Sequence, residues 1–511
     1  MTPGARLAAA IELLSEVEER IRRPADAVAN DFFRARRFIG SGDRRAVSDR
    51  AWAVLRARRR LGWWVERGGT AATARMLIAA SLLMEGWSAS GVAQSFSGGQ
   101  YAPATLIPQE REALLAIESH TLLHPEMPDA VRLEVPDWIL PRLAARFGES
   151  LDSELSALSE PAPLDLRVNL LRGTRELGRA ALEREGIAAA PTPLSPWGLR
   201  VPGRRAVTSG PAFQTGLVEI QDEGSQIVAA MVGAAPDMRV ADWCAGAGGK
   251  TLAIAAAMGN RGHVVACDVS RPRLDGATRR LRRAGAHNVE RHLIEPGDKW
   301  IKRRGGSFDR VLVDAPCTGT GTWRRNPDAR FRLRELDLDE LLPKQARILD
   351  DAARLVRPGG RLVYATCSLL FDENEAQVDA FLVRHPEFSA VPLAETWTLD
   401  APVPGPGPYL SLTPRRHGTD GFFAAVLRRD GAGTAAPQAA AGTDRTEDAD
   451  TDAPDMIEAD MDEARVDEAG ADRADAARQG LVGAHGGGAG AAGEALPGDD
   501  AAALGMGREG P

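Results

Sequence analysis

Between residues 236 and about 430, short apolar runs alternate with helix-length segments, and this alternation limits the fold more than any other feature. MRVADWC, HVVACD, FDRVLVDAPC and GRLVYATC read as strands, and TLAIAAAMG, PRLDGATRRLRRAG and LLPKQARILDDAARLV read as helices between them. Apolar strands separated by helices predict a doubly wound α/β domain with a largely parallel sheet. Ligands of such folds gather beyond the C-terminal ends of the strands. That places Cys244, Asp268, Asp314, Cys317 and Cys367 on one rim, although they are far apart in sequence.

Residues 1–150 read as a helical domain. Its first helix, between Arg6 and Arg22, carries an apolar stripe of Leu7, Ile11, Leu14 and Val17. A Ser/Pro-containing linker from Leu155 to Pro163 is expected next. Residues 160–235 then form a small α+β unit with a helix from Thr174 to Glu185, a hinge or substrate wall before the core at 236–430. From 431 to 511 the chain holds 18 Asp+Glu against 5 Lys+Arg and no aromatic residue. Such a segment buries too little apolar surface to offset the entropy of ordering it, so a disordered acidic tail is expected.

Of the formal net charge of −8, the tail accounts for −13, leaving +5 on residues 1–430. Residues 1–100 hold 16 Lys+Arg against 10 Asp+Glu, clustered at Arg34, Arg36 and Arg37 and at Arg44, Arg45, Arg56, Arg58, Arg59 and Arg60. These clusters suit phosphate contacts or an ordinary solvated face. The four cysteines are too few for a secreted disulfide scaffold, and no C-x-x-C or H-E-x-x-H segment supports a metal. No apolar run reaches the length of a membrane span, and no signal-peptide pattern opens the chain. A cytoplasmic protein without membrane partners is expected.

The strand ending at Trp243 runs into Cys244-Ala245-Gly246-Ala247-Gly248-Gly249-Lys250-Thr251 and then a helix. Glycines permit a tight turn under a helix N-terminus, where free amides favour an anionic group. The Gly-Lys-Thr ending matches a phosphate-binding loop, but that motif needs a glycine where Cys244 stands. Asp268, about 20 residues past the loop, is placed to accept ribose hydroxyls. A nicotinamide dinucleotide is the competing ligand, disfavoured because no GxGxxG turn occurs. Asp298, after the third strand of this core, is a candidate for the adenine edge, with Glu295 as its competitor and an exposed loop acid as the alternative.

Asp314 and Cys317 fall in VDAPCTGTG after the fourth core strand, and Cys367 falls in VYATCS after the fifth. Two thiols on adjacent strand ends, one beside an acid, suit covalent catalysis on a flat substrate. An electron-poor aromatic ring needs such help: a thiolate adding to one carbon makes the neighbouring carbon enamine-like. The residues alone leave open which thiol attacks.

The segments DWCAGAGGKT, VDAPCTGTGTWRRNPD, LPKQARILDDAARLVRPGGRLVYATCSLLFDENE and DGFFAAVLRR resemble the RsmB/Sun family of RNA cytosine-5 methyltransferases, in particular its bacterial ribosomal RNA branch. The resemblance covers most of residues 160–430. It implies a Rossmann-like class I methyltransferase core that uses S-adenosylmethionine, with small-subunit (16S) ribosomal RNA as substrate. It also implies Cys367 as the nucleophile, Cys317 as the residue assisting release, Asp314 orienting the cytosine, and Lys250 near cofactor and substrate. Residues 244–250, Asp268, Arg273, Asp298 and Asp314 are then the expected cofactor side. Arg324 and Arg325 are candidates for a phosphate or the flipped nucleotide, or else for a solvated loop. The N-terminal helices resemble the NusB-like RNA-binding domain of such enzymes. One departure is the loop Ala245-Gly246-Ala247-Gly248-Gly249-Lys250, where the family's usual run is alanine-alanine-proline-glycine-glycine-lysine. The rival readings are the same chemistry on transfer RNA or another RNA, and a non-catalytic RNA-binding assembly factor. A monomer is the simpler expectation.

Overall fold

A computed structural model describes residues 1–203 and 205–431. Apart from Gly431, the expected acidic tail lies outside the described residues. The N-terminal part is helical. Its first helix runs Pro3–Glu19, earlier than the apolar stripe alone indicates, because the Thr2 hydroxyl accepts the Ala5 N–H and Pro3 occupies the first turn. Ala9, Ala10, Leu13, Leu14 and Val17 are buried, while Leu7 and Ile11 pack at the edge of the same core.

The expected linker is shorter than its composition indicates. Leu155–Ser159 completes a helix, Leu151–Ser159, whose Leu155 and Leu158 join a core with Trp323, Leu338 and Leu369. Tertiary burial overrides the turn preference of the serines. Four strands follow: β1 (Leu164–Val168), β2 (Ala190–Pro191), β3 (Gly198–Val201) and β4 (Val218–Ile220), in the antiparallel order β2-β3-β1-β4. The helix expected over Thr174–Glu185 runs Arg175–Arg184 between β1 and β2, because the Thr174 hydroxyl accepts the Leu177 N–H and caps it.

The second sheet contains β5 (Arg239–Asp242), β6 (His263–Asp268), β7 (Val289–Leu293), β8 (Phe308–Asp314), β9 (Val356–Thr366), β10 (Phe388–Val391), β11 (Leu410–Leu412) and β12 (Phe422–Arg429). Its order is β10-β12-β9-β8-β5-β6-β7, with β11 beside β12. Strands β5 to β9 pair in parallel, and β10, β11 and β12 add an antiparallel flank. Alternation along each strand divides the core: Val311, Val313, Leu362 and Tyr364 pack on one face, and Leu312, Val363 and Ala365 on the other. Burial on both faces explains why these strands read as continuous apolar runs. This is the Rossmann-like α/β core with a helical N-terminus that the sequence predicts. Among the described residues, no helix is long and apolar enough to cross a membrane.

Candidate functional site

Four of the five parallel strands end in a polar residue: Asp242 on β5, Asp268 on β6, Asp314 on β8 and Thr366 on β9. Between β5 and the helix Gly249–Ala257 the chain turns sharply, with Gly246 at φ +54° and Gly248 at φ +82°. The Gly248 N–H donates to the Ala245 carbonyl, and the Ala245 N–H donates to that of Cys267, tying the loop to β6. Two arginines hold its far side, Arg280 donating to the Ala247 carbonyl at 3.1 Å and Arg167 to that of Gly249 at 3.2 Å. Cys244, at the start of the loop, is half-buried.

Asp268 is buried. One of its oxygens accepts the Gly246 N–H and the other the Ser270 N–H, both at 2.8 Å. Arg273 is half-buried in the helix Arg271–Ala284 that follows. Asp298 is not a simple exposed loop acid. It accepts from the Trp300 N–H at 2.8 Å and lies 2.7 Å from His292 Nε2, and these partners hold its carboxyl below the usual carboxylate range. His292 stacks on Trp300, with ring centroids 4.7 Å apart.

Lys250 Nζ donates to Asp314 Oδ2 at 2.6 Å, joining the glycine loop to the end of β8. Asp314 pairs in register with Ala365 of β9, so the chain leaves both strands at the same level. The two loops that follow carry Cys317 and Cys367, whose Sγ atoms are 3.4 Å apart. The contact with Cys367, together with burial, pushes the Cys317 thiol well above its ordinary range. At this separation either sulfur can share a proton with the other.

The structure adds residues that sequence reasoning missed. Asp242 is fully buried beneath the loop, where burial pushes its carboxyl up to about 7. Thr251 donates to its Oδ2 at 2.6 Å, whereas its Oδ1 accepts no hydrogen bond. An acid closing an apolar strand immediately before a glycine loop was the available signal. Glu373 and Asn374, in the quoted FDENE segment, are also fully buried and bond to the residues flanking the two cysteines.

Arg324 and Arg325 depart from both of their expected roles. They form a buried network with two acids: Arg325 Nη2 lies 2.7 Å from Asp222, Arg324 Nη2 lies 3.3 Å from it, and both Nε atoms lie 2.5 Å from Asp420. Their guanidinium groups bind the N-cap of the helix Glu223–Met231 to the approach to β12, which fits neither a phosphate contact nor a solvated loop. Much of the N-terminal arginine cluster is likewise engaged internally. Arg58 pairs with Glu18, Arg60 with buried Glu134, and Arg36 with Glu12 and Glu16; Arg37 and Arg45 remain exposed.

The loop fits a methyl donor with a nucleoside and an amino-acid end. Gly246 faces open space where a side chain would project, the helix N-terminus favours a carboxylate, and the buried Asp242 Oδ1 is unsatisfied. The profile described as 16S rRNA methyltransferase RsmB/F matches residues 229–428, and the RsmF/B-like ferredoxin-like domain matches residues 135–208. The chain is 37% identical to the ribosomal RNA small subunit methyltransferase B of Xylella fastidiosa over 58% of its length and 68% of the relative's. Identity to the Salmonella arizonae protein of the same name is 35%, over 61% and 70% of the two chains. The alignments with the first of these relatives span about two thirds of their length. Among solved structures, PH0851 superposes with a TM-score of 0.68 at 25% identity, covering 84% of this chain and 99% of its own. A methyltransferase homolog from Pyrococcus horikoshii gives 0.51 at 29% identity, covering 60% and 100%. With identities above 30% across two thirds or more of several such relatives, and the family profile covering the whole α/β core, the chain belongs to the RsmB/F methyltransferase family.

Proposed function

We propose that this protein methylates carbon 5 of a cytosine in small-subunit (16S) ribosomal RNA through a covalent adduct at carbon 6. The observation that carries this reading is the pair of thiols 3.4 Å apart at the ends of adjacent parallel strands, beside the Lys250–Asp314 pair. S-adenosylmethionine is the cofactor and supplies the electrophilic methyl group when bound. Residues 244–250, Asp268, Arg273, Asp298 and Asp314 would hold it. The relatives' printed names point to the ribosomal substrate, and the resemblance of the N-terminal helices to a NusB-like domain supports RNA binding by residues 1–150.

In this mechanism the Cys367 thiolate adds to carbon 6, its charge stabilised by the Cys317 S–H, and carbon 5 becomes nucleophilic. Asp314, held by Lys250, orients the exocyclic edge of the base. Once Cys367 is a thioether, it no longer carries a charge for the Cys317 S–H to stabilise, and Cys317 can pass its proton to solvent. The Cys317 thiolate can then take the proton from carbon 5 as the carbon–sulfur bond breaks and Cys367 leaves as a thiolate. The cytosine must lie outside a stable stack, in a loop, an unfolded precursor or a flipped state.

The test is methyl transfer to protein-free small-subunit ribosomal RNA and, in parallel, to bulk tRNA, with products located by bisulfite sequencing. A single modified ribosomal cytosine, lost in Cys367→Ala, is expected. Modification of tRNA alone would reject the ribosomal assignment, and binding of the methyl donor without transfer to either RNA would favour an assembly factor.

A further inference from the structure

The two thiol loops share one buried anchor. Glu373 Oε1 accepts the Thr318 N–H at 2.8 Å and Glu373 Oε2 the Thr318 hydroxyl at 2.5 Å, so its carboxyl grips the residue after Cys317. Gln345 Nε2 donates both to Glu373 at 3.0 Å and to the Pro316 carbonyl at 2.9 Å, securing the residue before Cys317. Asn374 does the same for the other thiol. Its Oδ1 accepts the Thr366 hydroxyl at 2.5 Å, and its Nδ2 donates to the Ser368 carbonyl at 2.9 Å. Asn374 therefore brackets Cys367 on both sides, while Cys317 is held on one side by Glu373 and on the other by Gln345, which donates to Glu373; the Thr318 and Ser368 hydroxyls, 3.3 Å apart, link the two loops. Glu373 and Asn374 are fully buried and consecutive in the chain. The Tyr364 hydroxyl, on β9, holds the Glu373 carbonyl at 2.6 Å and fixes this dipeptide to the sheet.

We propose that Glu373 and Asn374 are the positioning residues that set the separation of the two thiols, Glu373 acting on Cys317 and Asn374 on Cys367. This inference rests on the cytosine-5 reading for its consequences in turnover, but not for its consequences at the thiols. One peptide unit joins the two brackets, but each side chain makes its own hydrogen bonds, so removing one set loosens chiefly the cysteine beside it. Because the brackets hold different cysteines, they govern different steps: adduct formation needs Cys367 in place, and release needs Cys317. A displacement of about 1 Å at a reacting group costs up to roughly a hundredfold in rate.

The experiment follows covalent protein–RNA adduct on denaturing gels in single-turnover time courses with the full chain, S-adenosylmethionine and the RNA. Glu373→Gln, and Thr318→Val as the milder companion, are expected to form adduct at the normal rate and release it at least about tenfold more slowly. Asn374→Ala, and Thr366→Val as its companion, are expected to slow formation by a similar factor while leaving release unchanged. If both pairs slow the same step, or neither step moves, the assignment is overturned. Iodoacetamide labelling of each cysteine without RNA, read by mass spectrometry, keeps the positioning question separate from the reaction. Labelling that changes more at Cys317 in the Glu373 pair, and more at Cys367 in the Asn374 pair, supports the inference even if no adduct forms in any protein. Labelling that changes equally at both cysteines, or at neither, refutes it.

Discussion

Cys317 and Cys367 are fifty residues apart in the chain and 3.4 Å apart at sulfur. The parallel pairing of β8 with β9 brings them together, since Asp314 and Ala365 are register partners and each cysteine follows within three residues. At this separation one sulfur can hold a proton for the other, which is what the proposed division of labour between the two thiols requires.

That division predicts opposite failures on substitution. Cys367→Ala should abolish both methyl transfer and adduct. Cys317→Ala should still form adduct and accumulate it, visible as a protein–RNA band that survives denaturation. Cys367→Ala also removes the main cause of the raised Cys317 thiol, so Cys317 should alkylate faster at pH 8 in that variant than in the parent. Equal alkylation rates would count against the coupling.

Asp242 predicts a pH dependence of stability. Burial raises its carboxyl in the folded protein to about 7, from an ordinary value of 3.8. Between these values the folded state holds a proton that the unfolded state has released, so this group's contribution to stability falls as pH rises through the window. Asp242→Asn should flatten the profile, gaining on the parent from pH 4 to 7 by at most about 4 kcal/mol. Parallel thermal-denaturation curves for the two proteins would contradict this.

The network of Arg324, Arg325, Asp222 and Asp420 is structural in this account. Arg324→Met leaves buried carboxylates short of a partner, and a loss of about 3–5 kcal/mol in urea unfolding is expected. An Arg324→Met protein of unchanged stability but weakened RNA binding would restore the phosphate-contact role.

Gly248 is required by both conformation and space. Its φ is +82°, and a β-carbon there would lie 3.2 Å from that of Ala277. Gly248→Ala should cost about 1–2 kcal/mol from the left-handed conformation. Calorimetric titration with S-adenosylmethionine should show weakened binding, because the loop must shift to relieve the contact.

The sequence by itself determined the α/β core, the glycine loop and the rim on which the cysteines lie. Those features are local or periodic: apolar runs mark buried strands, and glycines before a helix mark a tight turn. The segment Thr174–Glu185 likewise read as the helix that runs Arg175–Arg184, and the motif resemblance pointed to the family. Tertiary structure decided the partners of the charged side chains. Arg324 and Arg325 look like loop cations in sequence, but their acids lie about a hundred residues away in either direction. Glu373 and Asn374 sit in the polar run FDENE, yet both are fully buried because the two thiol loops supply their hydrogen bonds. Leu155–Ser159 became helix where serines suggested a linker, because burial against Trp323 and Leu369 outweighs local preference. Periodicity records which face of an element is buried. Only the folded chain brings together the distant donors and acceptors that satisfy a buried polar group.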